Sequence, residues 1–222
     1  MKPLNRVNTN WSNNLAYIVG LIATDGCLNI DGRHIDFTSQ DIQLIKTFKS
    51  CLGLKNKIGF KVSGYSGRKC PHIQFGDITF YNWLLEIGIT PHKSKTIEKL
   101  KIPDEYFFDF LRGHFDGDGC CYSYWDKRWH SSFMFYITFV SASEKHILWL
   151  KYKIEKLLRI KTEIHKERGT IYTLRFAKES SKILISKMYY KENLPCLLRK
   201  KSKIKKILKI DKKELSGRGA IG

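Results

Sequence analysis

Acids are scarce in this chain. Its 222 residues include 21 Asp and Glu against 40 Lys and Arg, a formal charge of +19. That imbalance favours a polyanionic partner, either nucleic acid or an acidic membrane. Long apolar runs are also missing. The longest, residues 15–23 and 133–140, fall short of the roughly 20 residues that a membrane-spanning helix needs, so no membrane partner is expected. The polar stretch 1–14 has no apolar core of the kind a signal peptide carries, which points to an intracellular protein. Six cysteines show no paired spacing, and Cys70-Pro-His72 lacks a second ligand pair. Zinc is therefore disfavoured and reduced thiols are expected.

What is present is a repeated phrase. Leu15-Ala-Tyr-Ile-Val-Gly-Leu-Ile-Ala-Thr-Asp-Gly26 and Phe108-Asp-Phe-Leu-Arg-Gly-His-Phe-Asp-Gly-Asp-Gly119 align at one constant offset, so that Gly20 meets Gly113, Asp25 meets Asp118 and Cys27 meets Cys120. Each copy reads as an apolar helix ending on a carboxylate and a glycine. In the first, Ala16, Gly20 and Ala23–Thr24 form a face almost free of side-chain bulk, which lets another backbone approach closely. If the two bare faces pack, Asp25 and Asp118 finish side by side. Two neighbouring carboxylates resist joint ionisation near neutral pH, and a divalent cation relieves that conflict. Carboxylates, helix-end carbonyls and water suit magnesium, with manganese as a substitute. An Asp-Gly at a helix end is usually only a cap and a turn. Two copies, each with a glycine five residues earlier and each followed by a hairpin, argue against that reading.

The surrounding pattern repeats as well. After the first helix, capped by Asn13 or Asn14, strands are expected at 27–30 and 34–38 around Asp31-Gly32. A helix opened by Ser39 runs to Gly53, a strand pair covers 57–63 and 72–75, and a helix covers 78–87. Residues 88–104, with two prolines and four lysines, read as a linker. The second half repeats this order with strands at 120–125 and 132–140, a helix from Ser141 or Ser143 to 159, a hairpin over 161–177 and a helix over 179–190. A lysine-rich helix follows from Arg199, and 216–222 read as disordered. The expected fold class is α+β: two pseudo-symmetric α-β-β-α-β-β-α halves, residues 1–98 and 99–222, each a four-stranded antiparallel sheet. The halves join at a central two-helix interface around Gly20 and Gly113. Alternating polar and basic positions predict that each sheet turns one face outward.

Ile18-Val-Gly-Leu-Ile-Ala-Thr-Asp-Gly26 and Leu111-Arg-Gly-His-Phe-Asp-Gly-Asp-Gly119 resemble the paired signature helices of monomeric LAGLIDADG homing endonucleases. The resemblance implies a DNA-binding saddle over a long, nearly non-palindromic duplex. It implies cleavage of both strands across the minor groove, leaving 3′ overhangs. It makes Asp25 and Asp118 the catalytic metal ligands, with the carbonyls of Thr24 and Gly117 as further ligands. Gln40 matches a glutamine in the outer part of such sites, and Ala142 stands at its counterpart. Lys178 is the expected basic residue near the last strand. Asp109, standing where the first copy has Ala16, is expected to loosen or tilt the start of the helix pair.

DNA contacts are expected from Arg33, Gln40, Lys57, Lys61, Tyr65, Arg68, Lys69, Gln74, Lys127, Arg128, Lys161, His165, Lys166, Arg168 and Arg175, at hairpin tips and on the sheet faces. Trp125 and Trp129 are expected to pack rather than stack on bases. On the order of ten phosphate contacts would give a slope of log affinity against log salt of about −9. The rival readings are a group I intron RNA maturase and a DNA-binding protein of the same fold that does not cleave.

Overall fold

The structure is a computed structural model describing residues 6–62, 67–128, 132–167, 169 and 171–218, without the side chains of 215–218. Its first element, α1 (Asn13–Asp25), is capped not by an asparagine but by Ser12, whose hydroxyl accepts from Leu15 N at 3.2 Å. Strands β1 (Gly26–Leu28) and β2 (His34–Thr38) form the first hairpin, followed by α2 (Ile42–Cys51). Asp41 occupies the position before α2 without a side-chain capping bond, while Ser39 accepts from Asp41 N one step upstream. Strands β3 (Gly59–Val62) and β4 (Lys69–Gly76) and helix α3 (Ile78–Ile87) complete the half. The second half runs α4 (Phe107–Asp118), β5 (Cys120–Trp125), β6 (Phe133–Ser141), α5 (Glu144–Leu158), β7 (Glu163–Lys166), β8 (Tyr172–Phe176) and α6 (Lys178–Met188). An added helix, α7 (Leu198–Arg218), continues past Ser216, where the sequence predicts an end.

Both sheets are four-stranded and antiparallel, in the orders β1-β2-β4-β3 and β5-β6-β8-β7. The period of two sorts their side chains by face. Ile35, Phe37, Ile73 and Phe75 enter the core of the first half; Phe135, Ile137, Phe139, Leu174 and Phe176 enter that of the second. Residues 88–104 are less loose than expected. Ile89, Ile97, Leu100 and Ile102 are buried there, and Ser143 donates to the Ile97 carbonyl.

Helices α1 and α4 meet at backbone contact. A Cβ on Gly20 would collide with the Phe110 carbonyl and lie 2.6 Å from His114 N; one on Gly113 would collide with the Tyr17 carbonyl. Asp109 tightens this seam instead of loosening it. Only 2% exposed, it pairs with Arg112 at 2.6 Å and accepts from Asn13 at 2.8 Å and Tyr190 at 3.1 Å. The carboxylate is retained because its charge and lone pairs are satisfied across both helices.

Beside the seam lies a buried histidine pair. His146 Nδ1 sits 2.8 Å from the Glu98 carbonyl, and its Nε2 lies 3.2 Å from His114 Nε2. The carbonyl fixes the proton of His146 on Nδ1, so His114 donates from Nε2, an assignment consistent with its buried Nδ1 having no hydrogen-bond partner. A further proton on His146 would bring two N–H groups head to head. Burial pushes His146 down to about 4 and His114 well below its ordinary value. The unfolded chain therefore binds protons first, and the stability due to neutral His146 is lost as pH falls from about 6.5 towards 4, on the order of 3 kcal/mol. Asp25 and Asp116, with raised values, pull the other way over the same interval. The expected result is thus a difference: in denaturant melts at pH 7 and pH 5, His146→Gln loses less stability on acidification than the unmodified chain.

Candidate active site

Each of the two seam helices ends on an acid and turns at once into a strand. Gly26 and Gly119 follow the acids with φ −79° and −73°, ordinary for any residue. They are glycines for want of space. A Cβ at Gly26 would lie 2.6 Å from Ile22 Cα, and one at Gly119 would lie 2.6 Å from the Phe115 carbonyl. These tight exits bring the acids together. A Cβ on Gly117 would sit 3.2 Å from Asp25 Oδ2, so the Asp25 carboxylate lies against the residue preceding Asp118. Thr24 spends its hydroxyl on the Leu21 carbonyl at 3.0 Å.

Burial, then the charge of Asp118, raises Asp25 to about 7; Lys200 and Lys93 oppose the rise. Asp118 is raised by burial and restrained by the same two lysines. The pair thus carries a repulsion that a hard divalent cation would relieve, and the donors present fit one: two carboxylate groups beside helix-end carbonyls. Among the described residues no third His, Cys, Asp or Glu joins them as a metal-binding cluster, so water and a phosphate oxygen would have to complete the shell.

The two lysines were not legible as site residues. Lys93 lies in the connecting segment, 6% exposed, and donates to the Gly26 carbonyl. Lys200, in the first turn of α7 and 9% exposed, donates to the carbonyls of Phe115 (2.6 Å), Asp116 (2.9 Å), Gly117 (3.0 Å) and Gly119 (2.7 Å). Gly26 and Gly119 are equivalent in the repeat, so each half places one buried ammonium at the end of its signature helix, where the negative end of the helix dipole favours a cation.

A strap just before α7 holds the arrangement. Leu197 N donates to Asp116 at 2.7 Å, and Arg112 donates to the Pro195 carbonyl at 2.9 Å. Across the seam, Leu198 N donates to Gln43 at 3.0 Å and Arg199 pairs with Asp41 at 2.8 Å. Asp116, raised to about 6 by burial, also accepts from the Tyr17 hydroxyl at 2.9 Å, so it ties α4 to both α1 and the strap.

Lys178 stands apart from the acids, and this corrects the expectation for it. Its ammonium pairs with Asp211, lies 3.6 Å from Glu214 and donates to the Phe133 carbonyl, so its charge fastens α6 to α7. Gln40 is exposed in the turn between β2 and α2. Of the expected DNA contacts, Lys57, Arg68, Lys69, Gln74, Lys127, Lys161 and Lys166 are exposed, while His165 is half-buried. Lys61 is paired with Asp36 at 2.9 Å, Arg128 with Asp126 at 3.2 Å and Arg33 with Asp31 at 3.9 Å. Tyr65, Arg168 and Trp129 lie outside the described residues. Trp125 is half exposed and packs its ring against Phe133, 5.1 Å between centroids. The outward face of the second sheet is less basic than its alternation suggests: Tyr122 and Tyr124 stack on Tyr136 at 5.2 and 6.1 Å, with Arg175 over the Tyr136 ring.

No family model matches the chain, and no curated protein matches it in sequence. Solved structures share its fold. The LAGLIDADG meganuclease I-AabMI bound to uncleaved DNA superposes with a TM-score of 0.63 at 14% identity, over 90% of this chain and 91% of that one. The homing endonuclease I-DmoI in complex with DNA and Mn gives 0.51 at 15% identity, over 82% and 98%. Full-length DUF199/WhiA from Thermatoga maritima gives 0.57 at 15% identity over 93% of this chain; the match spans 64% of that protein's length. The two sheets joined by paired helices are those of the LAGLIDADG fold.

Proposed function

We propose that this chain, whose fold is that of the LAGLIDADG homing endonucleases, is a divalent-metal-dependent, site-specific DNA endonuclease that cuts both strands across the minor groove and leaves 3′ overhangs. The observation that carries the reading is the meeting of Asp25 and Asp118 at the seam, flanked by the buried ammoniums of Lys93 and Lys200. Magnesium, or manganese in its place, would be held by the two carboxylates with the Thr24 carbonyl nearby. When bound, it supplies Lewis-acid polarisation of the phosphodiester and a stronger water nucleophile. Water oxygen then bonds to phosphorus, the bond from phosphorus to the 3′ oxygen breaks, and that oxygen leaves with a proton. Lys93 and Lys200 keep the acids ionised by lowering the cost of two close negative charges. Gln40 is proposed at the outer edge of the site. The outward sheet faces lie along the duplex, with exposed lysines and arginines at phosphates and the tyrosines of the second sheet among the base-edge contacts.

A pool of randomised duplexes incubated with the chain and magnesium tests this. The expected product is one long, nearly non-palindromic sequence cut on both strands; intact DNA throughout would refute the endonuclease reading. A second reading, binding without cleavage, draws support from the four carbonyl contacts of Lys200, which already occupy the Gly117 oxygen. Tight binding of one selected sequence without cutting, in magnesium or manganese, would favour it.

Salt dependence gives a quantitative expectation. With Lys61, Arg33 and Arg128 paired internally, eight of the proposed Lys and Arg contacts remain, and the slope of log affinity against log salt should be about −7 rather than −9. Titrations between 50 and 200 mM salt (on the order of a fourfold span) measure it.

A further inference from the structure

The two half-sites are not equivalent, and the difference is lodged in Lys200. Its ammonium has three protons and faces four carbonyl oxygens at 2.6–3.0 Å, so every proton is engaged with the end of α4. Phe115 also lays its ring beneath the ammonium, 5.2 Å away. The equivalent lysine of the first half, Lys93, makes a single such contact, with the Gly26 carbonyl. One of the four oxygens held by Lys200 is that of Gly117, the residue against which the Asp25 carboxylate rests.

We infer that Lys200 is a tethered cation that competes with the divalent ion for the Gly117 carbonyl, so that the α4 side of the seam is closed to a carbonyl ligand while the α1 side is not. It rests on the cation reading proposed above and assigns Lys200 a positioning role, distinct from that of Lys93. The Gly117 oxygen keeps a second lone pair, but a divalent ion placed there would sit within a few ångströms of the ammonium, so like-charge repulsion sets the two cations in competition for it, and charge-assisted contacts of this kind are costly to weaken. Removing Lys200 should therefore tighten ion binding by more than the loss of one positive charge explains. Lys93 supplies the control, since its charge also acts on both acids without touching Gly117.

The test is Mn2+ binding to the full chain without DNA, read from the free-ion electron paramagnetic resonance signal. Lys200→Met should tighten binding about tenfold, and Lys93→Met by about threefold or less. Equal tightening in both variants would reduce the effect to charge and overturn the inference, as would weaker binding in Lys200→Met. Because Lys200 also anchors α7, a second measurement uses the unaltered chain: the 15N resonance of the Lys200 ammonium should shift as Mg2+ is added. An unchanged resonance at saturating Mg2+ would overturn the competition. Absence of Mn2+ binding in the unaltered chain and in both variants would remove the cation reading itself.

Discussion

Asp25→Asn is expected to abolish cleavage and, in the absence of divalent ions, to make the chain more stable. The first effect follows from the loss of one of two carboxylates at the seam; a fall of at least about three orders of magnitude in rate, on the order of 4 kcal/mol, is expected. The second has the opposite sign because the unbound site is strained. Asp25 is raised to about 7, first by burial and then by Asp118. A carboxyl with a raised value costs the folded state stability as pH climbs from about 4 to 7, and the full cost is present above that. The neutral amide escapes it. At pH 8 the variant should be more stable by one to a few kcal/mol and melt higher, discounted because Asp25 is only half-buried; at pH 4 the two chains should match. Asp118→Asn should lose cleavage to the same degree. Thermal melts with EDTA at both pH values, beside plasmid cleavage in magnesium, separate the two effects. A variant that cuts fully would dismiss the acid from the chemistry, and one that melts lower at pH 8 would dismiss the strain.

The second large effect concerns the seam. Alanine is ordinarily the better helix former, by about 1 kcal/mol over glycine. At Gly113 the reverse is expected, because the added methyl would occupy the place of the Tyr17 carbonyl. Neither backbone can yield without breaking helical hydrogen bonds, so Gly113→Ala should cost at least about 3 kcal/mol and Gly113→Val should prevent folding. Lys209→Ala, on the exposed side of α7, should stay within about 0.5 kcal/mol. Denaturation midpoints compare the three. Gly113→Ala at full stability would mean that the helices do not meet at this point.

The order of elements was legible because apolar period, turn residues and repetition agreed. Asp31-Gly32 marked one hairpin, and the apolar spacing over 78–87 matched α3 to the residue. The acids could be placed together because the small-residue face left little choice about what packs there. Side chains whose role depends on distant partners could not be placed. Lys93 sits among four lysines of a segment that reads as a linker, and nothing local marks it as the one turned inward against Gly26. Lys178 lay near the end of a strand, as expected, but Asp211 and Glu214 draw it elsewhere through a helix that has no counterpart among the described residues of the first half. Asp109 is a misfit on a small-residue face by sequence alone, and Asn13, Arg112 and Tyr190 supply its partners. In each case the determining atom comes from another element, beyond the reach of periodicity.

The strap from Pro195 to Lys200 sets a timetable for synthesis. Both acids, both sheets and Lys93 precede it in the chain, while the clasp on Asp116 and on the end of α4 arrives with Leu197 and Lys200. A nascent polypeptide can lay down its strands and pair its two seam helices, yet the acid-bearing end of the second one stays unfastened until this late stretch has been made. Fastening of the acid pair is thereby reserved for molecules whose two halves are already made.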